Sequence, residues 1–569
     1  MIVLGINDGH DAGCCLMKDG HIVMVSSEER RVNFKNFAGV PQRSIETVFQ
    51  SSGLSPVDVD LIAVSGLLRN TTPSHEPGPM LSVLHLLSSL GRTETGTRFG
   101  RWLLKHFRKR KELLNVLYTY DLADKLLIPF DHHLCHAATA YYHRPFSHLP
   151  STIVTLDGAG DGICATVGIG KGDHIEVLSQ TPKYHSPAAG LYSAITASLG
   201  FKPYEHEYKI MGMAPYGSTT KSLDAIQNSF QVDGLHFRNR TGKYGPGLVR
   251  HFHKKLYRQR FDNVCAAVQQ KFEQLVLQWI KNCISRTGIR NLCAAGGAFL
   301  NVKANKLIRE MPEVDQLYVY PASDDGGTSV GAAILGNLHL YQEQKSQPLL
   351  DLPASMYHGV AYTDAECRIA AEASGLVFRK MDDPANEVAS LLVTGHIVAR
   401  FVGREEIGPR ALGNRSILAD PRDLGVIRKL NFAIKQRDFW MPFAASILEE
   451  DVVRYILKPS NWAYYMIEAF DTTELGANDL IAAIHPYDRT IRPQIVNALN
   501  PEFRDILRAF KSITGVGGVL NTSFNLHGYP IVGSPELAIH TFQNSSIDAL
   551  ALGPYLILKS TDSHPRETI

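Results

Sequence analysis

The feature that most constrains the fold is an internal repeat. Ile2–Ser27 runs as an apolar stretch, an Asn-Asp-Gly turn, a second apolar stretch, a Lys-Asp-Gly turn and a third stretch. Ile153–Ser179 repeats that order, with Asp157-Gly158 at its first turn and Lys171-Gly172 at its second. Asp-Gly pairs tolerate the positive φ of tight hairpin turns, so each copy reads as paired β-hairpins. Two copies in one chain predict a duplicated structural unit.

Further strand-like runs stand at Leu61–Ser65, Leu292–Ala295 and Leu317–Tyr320, with helical spacing between several of them. That alternation favours α/β over all-β. A chain of 569 residues is too long for one core and predicts roughly three or four structural units. Tyr341–Ser355, with its Gln, Lys, Ser and Pro content, reads as a linker. It separates a first module, 1–345, from a second, 356–569. Between Pro73 and Lys125 lies a helical, partly basic insertion containing RWLLKHFRKRKELL (Arg101–Leu114), which reads as a solvated amphipathic face.

A net charge of +2 with 20% charged and 44% apolar residues is that of an ordinary globular protein, and nothing in it favours nucleic acid or a membrane surface as partner. The eight cysteines form no CxxC pair, so neither a zinc ribbon nor a disulfide framework is expected. The N-terminus runs straight into a strand pattern without a basic leader, and no apolar stretch approaches the roughly 20 residues of a membrane helix. A cytoplasmic location follows as the expectation.

Two constellations carry chemistry. In DHHLCHAATAYY, His132 and His136 stand at i and i+4, which on a helix puts both imidazoles on one face where they can share a metal ion, while His133 points elsewhere. No glutamate lies between them as in a zincin. Asp157 in LDGAGDG and Asp325 in SDDGGTSVGAA each close a strand at a Gly-rich turn. Two histidines with one or two aspartates suit Fe(II), Mn(II) or Zn(II). AAGGAFLNVKANKLI (Ala294–Ile308) adds a Gly-Gly turn, Gly296-Gly297, opening a helix fit for phosphate or adenosine.

In the second half, GREEIGPRALGNRSILADPR (Gly403–Arg422) sets Arg404, Arg410, Arg415 and Arg422 among Gly and Pro, as polyphosphate recognition requires. NFAIKQRDFWMPFA (Asn431–Ala444) alternates Lys435 and Arg437 with other residues, so both would project from one face of a strand. HPYDRTIRPQ (His485–Gln494) and VLNTSFNLHGYPI (Val519–Ile531) follow.

The duplicated hairpin unit resembles the actin-like ATPase superfamily (ASKHA). The ordered motifs HDAG (His10–Gly13), SSEER (Ser26–Arg30), DHHLCHAATA, DGAGDG, KIMGMAPYG (Lys209–Gly217), GGAFLNVKAN and DDGGTSVGAA resemble the N-terminal domain of the O-carbamoyltransferases of antibiotic, nodulation-factor and toxin biosynthesis. GPRALGNRSIL and NTSFN resemble that family's C-terminal motifs. The Lys435/Arg437 and Ser523/Asn525 pairs resemble the tetrad of the YrdC-like fold. The resemblance implies an α/β protein with a duplicated actin-like N-terminal domain and a YrdC-like C-terminal domain.

It further implies an ATP-dependent O-carbamoyltransferase that makes carbamoyladenylate from carbamoyl phosphate and ATP with Mg²⁺ and passes the carbamoyl group to a small-molecule hydroxyl. His132, His136 and Asp325 would hold a divalent metal, Fe(II) by resemblance, with Asp157 completing the site and His10 as base. Asp11, Lys209, Gly296, Gly297 and Asn301 would contact substrate or nucleotide in the first module. Arg410, Arg415, Arg492, Asn521, Ser523 and Asn525, with Lys435 and Arg437 as catalytic residues, would do so in the second. Two rivals share parts of this pattern. A tRNA threonylcarbamoyl-transfer enzyme would need a large basic RNA surface, and an actin-like small-molecule kinase would leave the set from Lys435 to Asn525 without a role.

Overall fold

In this computed structural model the structure describes residues 1–67, 111–352, 355–435, 438–460, 462 and 464–559, with main chain alone for Lys111, Thr220, Phe432, Ala433 and Lys435. The chain divides into two units. One comprises Met1–Glu28 and Asn36–Ala354; the other comprises Glu29–Lys35 and Ser355–Ile569. The polypeptide therefore leaves the first unit after Glu28, contributes seven residues to the second, and returns at Asn36.

The first unit holds two five-stranded sheets. One contains β1 (Ile2–Asn7), β2 (Gly13–Lys18), β3 (His21–Ser27), β4 (Leu61–Ser65) and β5 (Leu126–Phe130) in the order β3-β2-β1-β4-β5. The other contains β6 (Ser151–Gly160), β7 (Ile163–Lys171), β8 (His174–Pro182), β11 (Asn291–Ala295) and β12 (Gln316–Val319), in the order β8-β7-β6-β11-β12. A separate hairpin pairs β9 (Phe230–Asp233) with β10 (His236–Asn239). In both large sheets the three leading strands are antiparallel neighbours and the last two are parallel additions. The repeat read from Asp-Gly turns is thus a duplication of topology, and the unit is α/β.

The helix Thr328–Glu343 packs on β1 and on the helix His132–Tyr142. Its sequence TSVGAAILGN has small residues where backbones meet: a Cβ at Gly331 would lie 2.0 Å from the Cys135 carbonyl oxygen. Only glycine allows that approach. It brings the start of one helix, just past Asp325, against the helix that carries His132 and His136.

The second unit is built on one mixed sheet. Its strands are β13 (Phe378–Lys380), β14 (Val398–Phe401), β15 (Arg415–Ala419), β16 (Ala444–Leu448), β19 (Gln494–Val496), β20 (Gly518–Ser523), β21 (Ala549–Leu552) and β22 (Tyr555–Leu558), ordered β13-β22-β21-β14-β15-β20-β16-β19. β17 (Phe470–Asp471) pairs with β18 (Thr490–Ile491) beside it. Fully buried apolar residues of the central strands, such as Ala399, Ile417, Leu520 and Leu550, pack with Phe503, Leu507 and Phe510 of the helix Pro501–Thr514 into one core. Burying each of the larger side chains, Leu, Ile or Phe, contributes about 1.5–3 kcal/mol.

One expectation needs correction. Lys435 does not stand on a strand: it ends a wide helical turn, Leu430–Lys435, that continues the helix Gly425–Lys429. Leu430 and Ile434, one turn apart, are both buried, and that helical spacing prevails over the two-residue alternation that suggested a strand. The boundary between the units falls within the expected linker, at 354–355, and the described part of that stretch is tied to the first unit. The helix runs to Glu343, the Leu349 carbonyl accepts from Asn337 Nδ2, and the Asp351 amide donates to Gly20 O. Arg437 and the predicted insertion over 73–110 lie outside the described residues; Lys111–Thr119 is helical. The eight cysteines are buried free thiols. Among the described residues no helix is long and apolar enough to cross a membrane.

Candidate metal centre and phosphate loop

In the first unit the site is assembled at strand ends. β1 closes at Asn7, a fully buried residue whose Nδ2 donates to the carbonyls of His10 (2.8 Å), Asp11 (3.1 Å) and Asp325 (3.0 Å). One amide thereby ties the His10-Asp11 turn to the main chain of Asp325. Asp11 adopts φ +51°, and its Oδ2 lies 2.9 Å from His10 Nδ1. That hydrogen bond raises the His10 imidazole to about 9, against the downward push of burial, with the charges of Asp11, Asp325 and Asp324 adding to it.

The helix His132–Tyr142 starts at an N-cap, Asp131, whose carboxylate accepts from Leu134 N. Asp161 accepts from both the His132 amide and the Leu67 amide at 2.8 Å. Thus fastened, the helix aims His132 and His136 the same way, their Nε2 atoms 3.1 Å apart. His133 turns to the opposite side, bonded to Thr155 Oγ1 and the Ile163 carbonyl, and burial with its two histidine neighbours lowers it to about 3.

Asp325 Oδ1 lies 3.3 Å from His132 Nε2 and 3.4 Å from His136 Nε2; Asp157 Oδ2 is 3.8 Å from His132 Nε2. Asp157 sits where the register of β6 against β7 shifts, a bulge of the kind that re-aims side chains. Its Oδ1 accepts from Gly297 N at 3.1 Å. That approach needs glycine at 296, where φ is +107° and a Cβ would meet the Leu156 oxygen at 2.3 Å.

Burial alone would push the His132 imidazole down; the Asp325 and Asp157 carboxylates overcome it and raise it to about 10. Conversely, the two imidazoles hold Asp325 well below the usual carboxylate range in spite of its burial. One ligand-type atom from each of His132, His136, Asp157 and Asp325 falls within 4.8 Å of every other. Neighbouring donors on one ion, with bonds of about 2.1 Å, lie roughly 3.0–3.4 Å apart. The spacings 3.1, 3.3 and 3.4 Å among the two imidazoles and Asp325 match that requirement. The residues therefore fit a divalent cation of the N/O-liganded class, Fe(II), Mn(II) or Zn(II).

The other predicted residues of this unit have separate surroundings. Asn301 caps the helix Val302–Arg309 through Ala304 N and exchanges two hydrogen bonds with Gln269, which also accepts from Tyr192 Oη. Lys209 Nζ lies 5.4 Å from the Phe201 ring centroid.

In the second unit, the loop from Gly403 to Asn414 is held by its own side chains. The buried Glu406 Oε1 accepts from the amides of Leu412, Asn414 and Arg415. From below, Asn521 Nδ2 donates to Ala411 O, Gln494 Nε2 and Tyr357 Oη to Leu412 O, and Arg400 to Gly413 O. Arg415 departs from its expected role. Its Nη atoms donate to the carbonyls of Val402, Gly403, Asn414 and Val360, Phe401 covers it at 3.8 Å, and burial lowers it to about 10. A guanidinium so occupied props the loop and is not available to a phosphate. Arg422 pairs with Asp420, and Arg404 donates to the carbonyls of Gly359 and His358. Arg410 and Arg492 are partly buried. Ser523 Oγ donates to Asn525 Oδ1 at 2.6 Å, and Asn525 Nδ2 to Tyr529 O.

Sequence reasoning did not single out Asn7, Asp161, Glu406 or Gln494. Each acts through main-chain groups and so carries no spacing signal. Glu406 offered the best clue, being an acidic residue inside a run of arginines.

The chain matches two family profiles, "Carbamoyltransferase N-terminus" over residues 2–334 and "Carbamoyltransferase C-terminus" over residues 389–559. It is 30% identical to nodulation protein NolNO of Sinorhizobium fredii, over 97% of this chain and 80% of that one. It is 32% identical to nodulation protein NolO of Bradyrhizobium diazoefficiens, over 75% and 79%. Among solved structures it is similar to HypF of T. kodakarensis at 13% identity and a TM-score of 0.35, covering 61% of this chain and 48% of that one.

Proposed function

The chain belongs to the carbamoyltransferase family, and from that premise we propose that it is an ATP-dependent O-carbamoyltransferase acting on a hydroxyl of a small molecule. The observation that carries the reading is the single amide of Asn7, which bonds the carbonyls of both His10 and Asp325. Through it a candidate base and a candidate metal ligand share one site.

In the second unit carbamoyl phosphate is hydrolysed to carbamate and phosphate. The carbamate oxygen then attacks the α-phosphorus of ATP, giving carbamoyladenylate and pyrophosphate. Arg410, Arg492, Ser523 and Asn525, together with Lys435 and Arg437, grip the phosphates. Asn521 supports the loop from beneath. In the first unit the acceptor hydroxyl attacks the carbamoyl carbon and AMP leaves. His10 takes the hydroxyl proton, a step that typically gives about 10²–10⁴-fold. Asp11 orients that imidazole. A divalent ion held by His132, His136, Asp325 and Asp157 would supply positive charge to the phosphate of the departing nucleotide. Gly296 and Gly297 face the nucleotide, with Asn301 and Lys209 supporting the surrounding fold.

The test is direct. The protein is incubated with ATP, carbamoyl phosphate and Mg²⁺, pyrophosphate and AMP are followed, and acceptors are then screened by mass shift. Release of ADP in place of pyrophosphate would overturn the reading.

A further inference from the structure

Arg30 stands near the start of the sequence, in SSEER, yet belongs to the second unit. Its side chain is 3% exposed. Nη1 donates to Glu405 Oε1 at 2.9 Å and to Glu406 O at 2.6 Å; Nη2 donates to Gly408 O at 2.7 Å. Arg31 pairs with the other oxygen of Glu405. Behind the pair, Gly533 leaves no room for a side chain: a Cβ there would meet Arg30 O at 2.5 Å. Seven residues from the other end of the chain thus join this unit, with Arg30 as their buried member.

The acceptors that Arg30 takes are informative. Main-chain carbonyls of the loop are otherwise held from within the C-terminal sequence: 402, 403 and 414 by Arg415, 404 by Asn414, 411 by Asn521, 412 by Gln494, 413 by Arg400. The carbonyls of 406 and 408, immediately before Arg410, are held by Arg30. A planar guanidinium with fixed donor directions satisfies three acceptors at once, which an ammonium on a flexible stem does not do with the same geometry.

We propose that Arg30 is a positioning residue for adenylate formation: it fixes the main chain at Glu406 and Gly408 and thereby the placement of Arg410. The inference rests on the reading of the second unit as the adenylate-forming module. It gives the SSEER motif a function at the site of carbamate activation although the motif lies in the sequence of the transfer module.

The experiment uses the full chain with Arg30→Ala and Arg30→Lys. Two quantities are read: amide hydrogen exchange across 405–415, and pyrophosphate release from ATP in the presence of carbamoyl phosphate. In Arg30→Ala, protection of the Leu412, Asn414 and Arg415 amides falls and turnover drops about 100-fold, the scale of a 1 Å misplacement, with the KM for ATP little changed. Guanidinium at a non-denaturing concentration enters the vacated space and restores both. Arg30→Lys keeps Glu405 paired and the fold intact, and still exchanges faster and turns over more slowly. Unchanged exchange in both variants, or a loss of turnover that guanidinium does not restore while Arg30→Lys is as active as the parent, overturns the proposal. If the parent protein releases no pyrophosphate, the functional reading falls, and the exchange data still decide whether Arg30 sets the loop.

Discussion

The two candidate sites use charged residues in opposite ways. In the first unit, two imidazoles and two carboxylates converge with little else to bond, and His132 and Asp325 carry a protonation bias imposed by their neighbours in the cluster. In the second, guanidinium groups in and beside the arginine-rich loop are spent on main-chain carbonyls, as Arg400, Arg404 and Arg415 illustrate. Clustering of charge in sequence therefore signals chemistry only where the groups are left facing one another. Where they face carbonyls, they are architecture.

The largest effect expected from breaking this contrast is at the cluster. His136→Ala should weaken binding of Fe(II), Mn(II) or Zn(II) by more than about 1000-fold, beyond the 10–100-fold typical of losing an outer partner. Titration against a competing chelator measures it. Unaltered affinity would reduce the cluster to a hydrogen-bonded polar core. Next, Arg415→Ala should cost about 3 kcal/mol in urea unfolding, because several buried carbonyls lose charged donors. Arg410→Ala should stay within about 1 kcal/mol of the parent while pyrophosphate release falls. Equal stability losses would erase the distinction between prop and ligand.

The third prediction concerns pH. His10 must be neutral to accept a proton, and its imidazole is raised to about 9, chiefly by Asp11. Transfer should rise with pH and level off above about 9, and Asp11→Asn should move that limb to lower pH. The accompanying stability contribution has the opposite sense: it is present below the unfolded value of about 6.5 and is lost as pH climbs through the folded one. A limb that Asp11→Asn leaves in place would remove the pair from the transfer step. Smallest, Asp161→Asn should cost about 1 kcal/mol, the usual worth of a helix cap, with less than a tenfold loss of metal affinity; calorimetric melting reads the first and chelator competition the second.

Much of the first unit was legible because its repeat is written in turn chemistry. Asp-Gly pairs and apolar runs located β1 to β3 and β6 to β8 within a few residues, and the i, i+4 histidines lie on a helix as their spacing requires. What could not be read was which backbone groups need support. Asn7 looks like any turn residue, and Asp161 like a second Asp of a Gly-rich run, since their partners are amides and carbonyls remote in sequence. The alternation around Lys435 misled because buried Leu430 and Ile434 obey the helical period. Arg415 misled because residue type tells nothing of burial: an arginine with no exposed surface is counted the same as one at a loop tip.

The excursion of Glu29–Lys35 bears on engineering. A chimaera that grafts a foreign C-terminal half onto this chain at residue 355 would keep Arg30 and Arg31 but confront them with another protein's Glu405 counterpart, while 355–569 expressed alone would bury that carboxylate with both cations gone. Cut-and-paste exchange of such enzymes must therefore carry a short cassette from the opposite end of the gene along with the half being moved.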